Sequence, residues 1–336
     1  MSKYSPSILG TCRRRCKLEF SSEIFFSITD YRNNYFLNDN PEKIFQFYQG
    51  FKDREELIEW MKERPKGVCN IREVEGNKEV IVVIPTPDFD GNFAMECRNN
   101  IFKGLHIIFA ESAEIPDNYF NGAHNVNMGI QRALNYSPKW LILSGEDMQK
   151  VDDVKILLDE LSAIDHQKIK ALFLSPGMGH SIPAQFSRPR KFFPLFLLLN
   201  FLKKWKRGRL NRLLVTRRIL KLYSKFEVSY LTPRQRSPNL LAFERGFSFI
   251  NSGPILIISS EYITNDRYPL FDETFVNDNF ETDTAIDISF REAKYELLDY
   301  RIRNLPVTRL GKGINRYLRG VAGATYLCYK WENKLR

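Results

Sequence analysis

Carboxylates gather after three apolar runs of this 336-residue sequence, and oxygen-rich clusters of this kind suit chemistry on a phosphorylated ligand. Asp88 and Asp90 follow the apolar run at 80–84, Glu111 with Ser112 and Glu114 follows the run at 106–110, and Glu146 with Asp147 closes Ser144-Gly145-Glu146-Asp147. Hard divalent cations such as Mg2+ and Mn2+ are often held by only one or two carboxylates plus phosphate oxygens. A carboxylate within hydrogen-bond reach of a hydroxyl can also accept its proton. Any one cluster is equally what a helix N-cap or a solvated loop uses, but their recurrence after successive strand signals favours a site.

Other reactive residue types carry less. The five cysteines are odd in number and scattered, which predicts reduced thiols in a cytoplasmic protein rather than a disulfide scaffold. Cys12 and Cys16 lack a second pair at metal-site spacing. His106, His124, His166 and His180 are too far apart to suggest a triad or a zinc site from spacing alone, and only His180 falls in a strand-end loop.

The elements that would position the acids follow from periodicity. The run at 80–84 is β-branched throughout, as expected of a strand buried on both faces, and 106–110, 140–143 and 171–174 repeat the signal. Helical patterns at 92–104, 123–135 and 151–164 alternate with them, which predicts a mostly parallel sheet with ligands at the carboxyl ends of its strands. Residues 1–78 read as an N-terminal extension covering the core, with a helix over 53–63 that Pro65 and Gly67 stop.

In this order the motifs resemble glycosyltransferase family 2. Ile81-Val-Val-Ile-Pro85-Thr86 is similar to the family's first strand and nucleotide loop, and Asn125-Val-Asn127-Met-Gly129-Ile-Gln-Arg-Ala133 to one of its helices. Ser144-Gly145-Glu146-Asp147 stands in the place of the Asp-x-Asp motif, with Gly145 where an aspartate is common. Further on, Gly246 to Ile258 is similar to the strand near the acceptor, Phe271-Asp272-Glu273 to the Phe-Asp-Glu signature, and Glu281 to Arg291 to the acidic motif that supplies a base, with altered spacing.

The resemblance implies an α/β fold of GT-A type: a Rossmann-like, mostly parallel sheet flanked by helices. It divides the chain into the extension at 1–78, a nucleotide-sugar-binding half at 79–182, an insertion at 183–245, an acceptor-side half at 246–313 and a basic aromatic tail at 314–336. It implies an inverting transfer from a nucleotide-diphosphate sugar to a glycan or lipid-linked acceptor. Asp147 is implied as the ligand for Mn2+ or Mg2+, and Asp283 or Asp287 as the base, Asp283 preferred at a helix N-terminus facing the cleft. Pro85, Thr86, Asp88, Glu111, Asn127, Glu146 and Arg309 are implied as donor contacts.

The insertion is basic and amphipathic. Residues 188–236 hold 15 Lys or Arg against the single acid Glu227, a segment charge of +14 in a chain of net +10, so the remainder carries −4. With the apolar run at 192–202 this composition suits an interfacial membrane element on an anionic surface, and the run is too short to span a bilayer. The expected location is the cytoplasmic face of a membrane, since the sequence shows no signal peptide. A nucleic-acid binder would use the same cations on phosphates but leaves the acidic clusters unexplained. A catalytically inactive module of the same fold is the other alternative, which Gly145 and the altered spacing keep open.

Overall fold

The computed structural model describes residues 40–112, 121–174, 184–186, 210–228, 231–233, 240–242, 248–250, 255–263, 267–276, 279–291, 293–305 and 314–331. Helices α1 (Pro41–Gln49) and α2 (Arg54–Glu63) come first. Asn40 and Asp53 cap them through side-chain oxygens that accept amide hydrogens from Glu42 and Glu56, which satisfies donors the first turn leaves orphaned. Strands β1 (Cys69–Val74) and β2 (Asn77–Thr86) lead to α3 (Asn92–Glu96), a π-helical turn (Cys97–Ile101), β3 (Leu105–Ser112) and α4 (Gly122–Leu134). Then come β4 (Trp140–Ser144), β5 (Met148–Lys150), α5 (Val154–Ala163) and β6 (Ala171–Leu174). Beyond them lie β7 (Ala184–Phe186), α6 (Leu210–Lys225), β8 (Leu231–Pro233), β9 (Leu240–Ala242), β10 (Ser248–Ile250) and β11 (Ile255–Ser259). The described chain finishes with α7 (Phe280–Phe290), β12 (Tyr295–Leu298), β13 (Ile302–Asn304) and α8 (Ile314–Trp331).

Seven strands form one sheet in the order β1-β3-β2-β4-β11-β6-β12. β2 runs parallel to β3 and β4, and β12 parallel to β6, while β1 and β11 run against their neighbours. The fold is thus α/β with a mostly parallel, mixed sheet. Alternate residues of β2 feed two cores: Ile81 and Val83 pack with α4, α1, α2 and α8, whereas Val80, Val82 and Ile84 pack with α3, the π turn and α5. Period-two alternation within an all-apolar run is what a strand covered on both faces requires.

Two expectations change here. The segment at 1–78 was expected to cover the core, but its β1 is an edge strand of the sheet itself, paired with β3 from Cys69↔Ser112 to Val74↔Ile107. The tail at 314–336 was expected as a basic aromatic appendage, yet α8 buries Leu318, Val321, Ala322, Leu327, Cys328 and Trp331. The carboxyl-terminal part of the basic insertion is likewise integrated: Leu222 and Phe226 are buried in the α1–α8 core, and Arg218 pairs with Glu42. The apolar run at 192–202 and the basic run at 203–209 lie outside the described residues. Among the described residues no helix is long and apolar enough to cross a membrane.

Candidate functional site

The chain leaves β2 on one side to form β3 and returns on the other to form β4, with α3 against one face of the sheet and α4 against the other. Such a switch point opens a crevice outside the carboxyl ends of the strands. Thr86 and Glu111 stand opposite each other there, in register at the ends of β2 and β3, and Ser144 ends β4 beside them.

The acids expected at the donor site meet at this crevice. The buried Thr86 Oγ1 donates to Glu146 Oε2 at 2.6 Å and accepts from the Asp88 amide at 3.1 Å, so one hydroxyl ties two loops together. Glu111 Oε1 accepts from the Phe89 amide at 2.8 Å, which fastens the same loop to β3. The Phe89 ring lies under the guanidinium groups of Arg72 and Arg98, at 4.5 and 4.4 Å from its centroid. Pro85 is half-buried in β2 opposite Ala110.

Asp147 is positioned by a second, small sheet. β5 pairs antiparallel with β13, placing Met148 opposite Asn304. Asn304 Nδ2 donates to Asp147 Oδ1 at 3.1 Å, and the Leu305 amide donates to the Asp147 carbonyl at 2.7 Å. Beneath them the Cys97 thiol of the π turn reaches the Glu146 carbonyl at 3.4 Å. Gly145 has a steric reason: a Cβ there would sit 2.9 Å from Asp147 Oδ1 and 3.3 Å from the Met148 methyl. An aspartate there would push aside Asp147, the carboxylate expected to bind metal.

Besides Asp283, three expected site residues are placed elsewhere or undescribed. Asn127, expected against the donor, is buried and engaged: its Nδ2 donates to the Phe271 carbonyl at 2.8 Å and to Glu273 Oε1 at 3.0 Å, and its Oδ1 accepts from the Phe271 amide. It clamps the 271–273 segment to α4. Asp287 pairs with Arg291 at 2.7 Å one turn on, and its charge acts on Tyr262, which follows β11 at the end of the sheet away from Thr86. Arg309 lies outside the described residues, as do Glu114, His180, Cys12 and Cys16.

Asp283, expected to face the cleft, faces α8. Its side chain is buried, its Oδ2 accepts from Lys330 Nζ at 2.8 Å and its Oδ1 from the Trp331 indole N–H at 2.6 Å. Lys330 reaches Asp272 Oδ2 at the same 2.8 Å, and Tyr326 donates to that oxygen at 2.9 Å. The two carboxylates share one ammonium and are pushed apart: burial raises the Asp283 pKa despite Lys330, whereas at Asp272 the opposing effect of Lys330 outweighs burial and lowers it. The Lys330 pKa is raised because the two carboxylates outweigh burial. Burial would also raise Glu273, but hydrogen bonds from His124 and Asn127 and the charge of Lys66 hold it below the usual range.

Lys330, Trp331 and Glu273 are the contributors that the candidate residues above omit. The signal for Lys330 is in the sequence, since Tyr326 and Lys330 fall four apart on one face of a helix with an apolar stripe. Its partner Asp283, 47 residues earlier in the chain, is not signalled at all.

The cysteines near the crevice are unreactive thiols. Burial and the neighbouring Glu111 push Cys69 up to about 12, and burial raises Cys97 further, so neither supplies a thiolate near neutral pH. The chain matches no protein-family model, and a search of curated proteins returns no match.

Proposed function

We propose that the chain is a nucleotide-sugar glycosyltransferase of GT-A type, resembling family 2, that transfers a sugar by inversion to a hydroxyl or phosphate of a glycan or lipid-linked acceptor. The observation that carries this reading is the meeting of Thr86, Asp88, Glu111, Glu146 and Asp147 at the topological switch point of the sheet. A crevice with carboxylates and loop amides suits a nucleotide diphosphate that arrives with a divalent cation. The donor set fits a hard cation: Asp147 is half-buried, is oriented by Asn304, and stands beside Glu146. When bound, Mn2+ or Mg2+ supplies positive charge against the departing diphosphate.

The chain's own residues supply the remainder. Glu111 and the Phe89 loop border the end of the crevice where the base would lie, and Thr86 holds Glu146 in place. Asp283 keeps its assignment as proton acceptor, because it opens α7 and its raised pKa makes it the stronger base of the pair on Lys330. For it to act, Lys330 and Trp331 must turn away from it. The sealed Asp283 equally favours a second reading, in which the same fold binds a donor, or nothing, and catalyses no transfer.

Membrane association belongs to the same proposal in a narrower form. The apolar side chains Leu222 and Phe226 are spent on the core, so within this stretch Arg217 and Lys221 remain exposed for an anionic surface. Neutral vesicles and duplex DNA serve as the comparison for anionic vesicles.

The deciding experiment is a thermal-shift screen of UDP, GDP, CDP, dTDP and their common sugars with and without Mn2+, since a ligand specific to the native state raises the melting temperature. A metal-dependent shift with one base, lost in Asp147→Ala, supports the donor site. Donor turnover lost in Asp283→Asn separates the enzyme from the inactive module, and no shift with any nucleotide sinks the donor site and leaves the inactive module.

A further inference from the structure

At the opposite end of the sheet, away from the switch point, His106 lies near the start of β3, in register with Ile81 of β2, and is fully buried. Its Nε2 lies 2.9 Å from Glu73 Oε2. Glu73 is oriented from every side: Arg132 Nε donates to its Oε1 at 2.6 Å and the Tyr136 hydroxyl to its Oε2 at 2.7 Å. With Arg132 and Tyr136 donating to its two oxygens, Glu73 meets His106 as a hydrogen-bond acceptor. The hydrogen of a neutral imidazole therefore sits on Nε2, and Nδ1 carries a lone pair.

That Nδ1 is buried without any hydrogen-bond partner. The atom it faces is Glu75 Oε2 at 3.6 Å, too far for a hydrogen bond and itself a lone-pair donor. Glu75 is held in place by its backbone. It precedes Gly76, where a Cβ would lie 2.3 Å from the Leu105 carbonyl, so the β1–β2 turn is pressed onto the residue next to His106. Two lone-pair atoms held face to face call for a cation between them. Atoms about 2.0–2.1 Å from a common zinc ion and 3.6 Å from each other subtend roughly 120° at it, within reach of a zinc coordination geometry.

We propose that Glu75 and His106 Nδ1 are the ligands of a divalent borderline metal, zinc by preference, with Glu73 as the carboxylate that orients the histidine. A carboxylate on the far nitrogen of a metal-bound histidine fixes its tautomer and raises its basicity, and imidazole with carboxylate suits zinc better than calcium or magnesium. Glu75 is 74% exposed, so the remaining positions open to water. Lys78 Nζ, 3.1 Å from Glu75 and 4.4 Å from the centre of the Tyr136 ring, is the competing cation. The metal would pin the edge strand β1 and its turn to β3. This role is structural and independent of the donor crevice.

The test uses the full chain, with zinc titrated calorimetrically and by thermal shift, and Co2+ read by its visible absorption. Glu75→Gln changes an exposed side chain and leaves the buried histidine in place. The expected result is zinc stabilisation that weakens at least about tenfold in Glu75→Gln, the scale on which even outer partners of a metal site act, and that tightens in Lys78→Ala. The same stabilisation persists in Asp147→Ala, which separates this site from the donor crevice. Zinc affinity equal in wild type and Glu75→Gln, or absent from both while mild acid alone stabilises the fold, overturns the proposal and leaves a proton as the cation between the two groups.

Discussion

The indole N–H of Trp331, the last residue of α8, donates to Asp283 at the start of α7, 2.6 Å away, and Lys330 closes the other oxygen of the same carboxylate. The carboxyl-terminal helix thereby ends on the residue that the sequence motif nominates as a base. A buried carboxylate with two donors on it is stable as an anion only while those donors stay.

Lys330→Met removes the one ammonium between Asp272 and Asp283 and leaves both carboxylates without it. Breaking a buried pair of this kind costs about 3–5 kcal/mol at neutral pH. The Asp283 pKa is already raised in the folded protein, so acid favours its neutral form and the loss shrinks on acidification. Urea unfolding of wild type and Lys330→Met at pH 7 and pH 5 measures both values. An equal loss at the two pH values shows that Asp283 is not the strained partner.

Glu273→Gln tests the opposite sign. The Glu273 pKa is lowered on folding, so its ionised form contributes stability above the ordinary carboxylate range, and that contribution disappears as pH falls through the lowered folded value. The variant is therefore less stable than wild type at pH 7 and converges with it in strong acid. Asp283, whose folded pKa is raised, runs the other way: its contribution is present in acid and is lost as pH rises through the folded value. A stability profile of Glu273→Gln parallel to wild type down to pH 3 sinks the assignment.

The α/β alternation was legible because each element carries its own local signal: the β-branched run from Val80 to Ile84 reads as a doubly covered strand, and Asp53 before Leu57, Trp60 and Met61 announces α2. Direction is another matter. An apolar run such as Ile255 to Ile258 reads alike in either sense, so the reversal of β11 between β4 and β6 is set by tertiary pairing alone. In β1 the charged residues Arg72 and Glu73 hide an edge strand's pattern, so the sequence shows it only as part of a cover. The strand-end acids were legible because their place after successive strands is a consequence of the parallel arrangement. The fate of Asn127 and Asp283 was not, since each is fixed by residues far along the chain.

Thr86→Val keeps the shape of the side chain and deletes the hydroxyl that joins Glu146 to the Asp88 loop. Hydrogen bonds to charged groups are worth about 1.5–3 kcal/mol, so chemical denaturation registers a loss in that range. With Glu146 released, any metal-dependent nucleotide shift weakens as well. A variant as stable as wild type with an undiminished shift shows that the Thr86–Glu146 contact positions nothing.

Gly145→Asp separates motif from geometry. By the family pattern, an aspartate at this place restores a second acidic ligand and tightens cation binding. In this fold the new Cβ comes within 2.9 Å of Asp147 Oδ1, the atom that Asn304 holds at 3.1 Å. Relief requires Asp147 to leave Asn304, and a carboxylate displaced by even an ångström loses the alignment on which a metal site depends. The added negative charge beside Glu146 and Asp147 also disfavours their joint ionisation unless a cation is bound. The expected result is a metal-dependent nucleotide shift at least about tenfold weaker than in wild type, with β5 and β13 still paired. Asn304→Ala, which frees Asp147 without adding charge, moves the affinity in the same direction by a smaller amount. Tighter binding in Gly145→Asp would mean that the loop after β4 yields freely and that the position of Asp147 is not set by the small sheet.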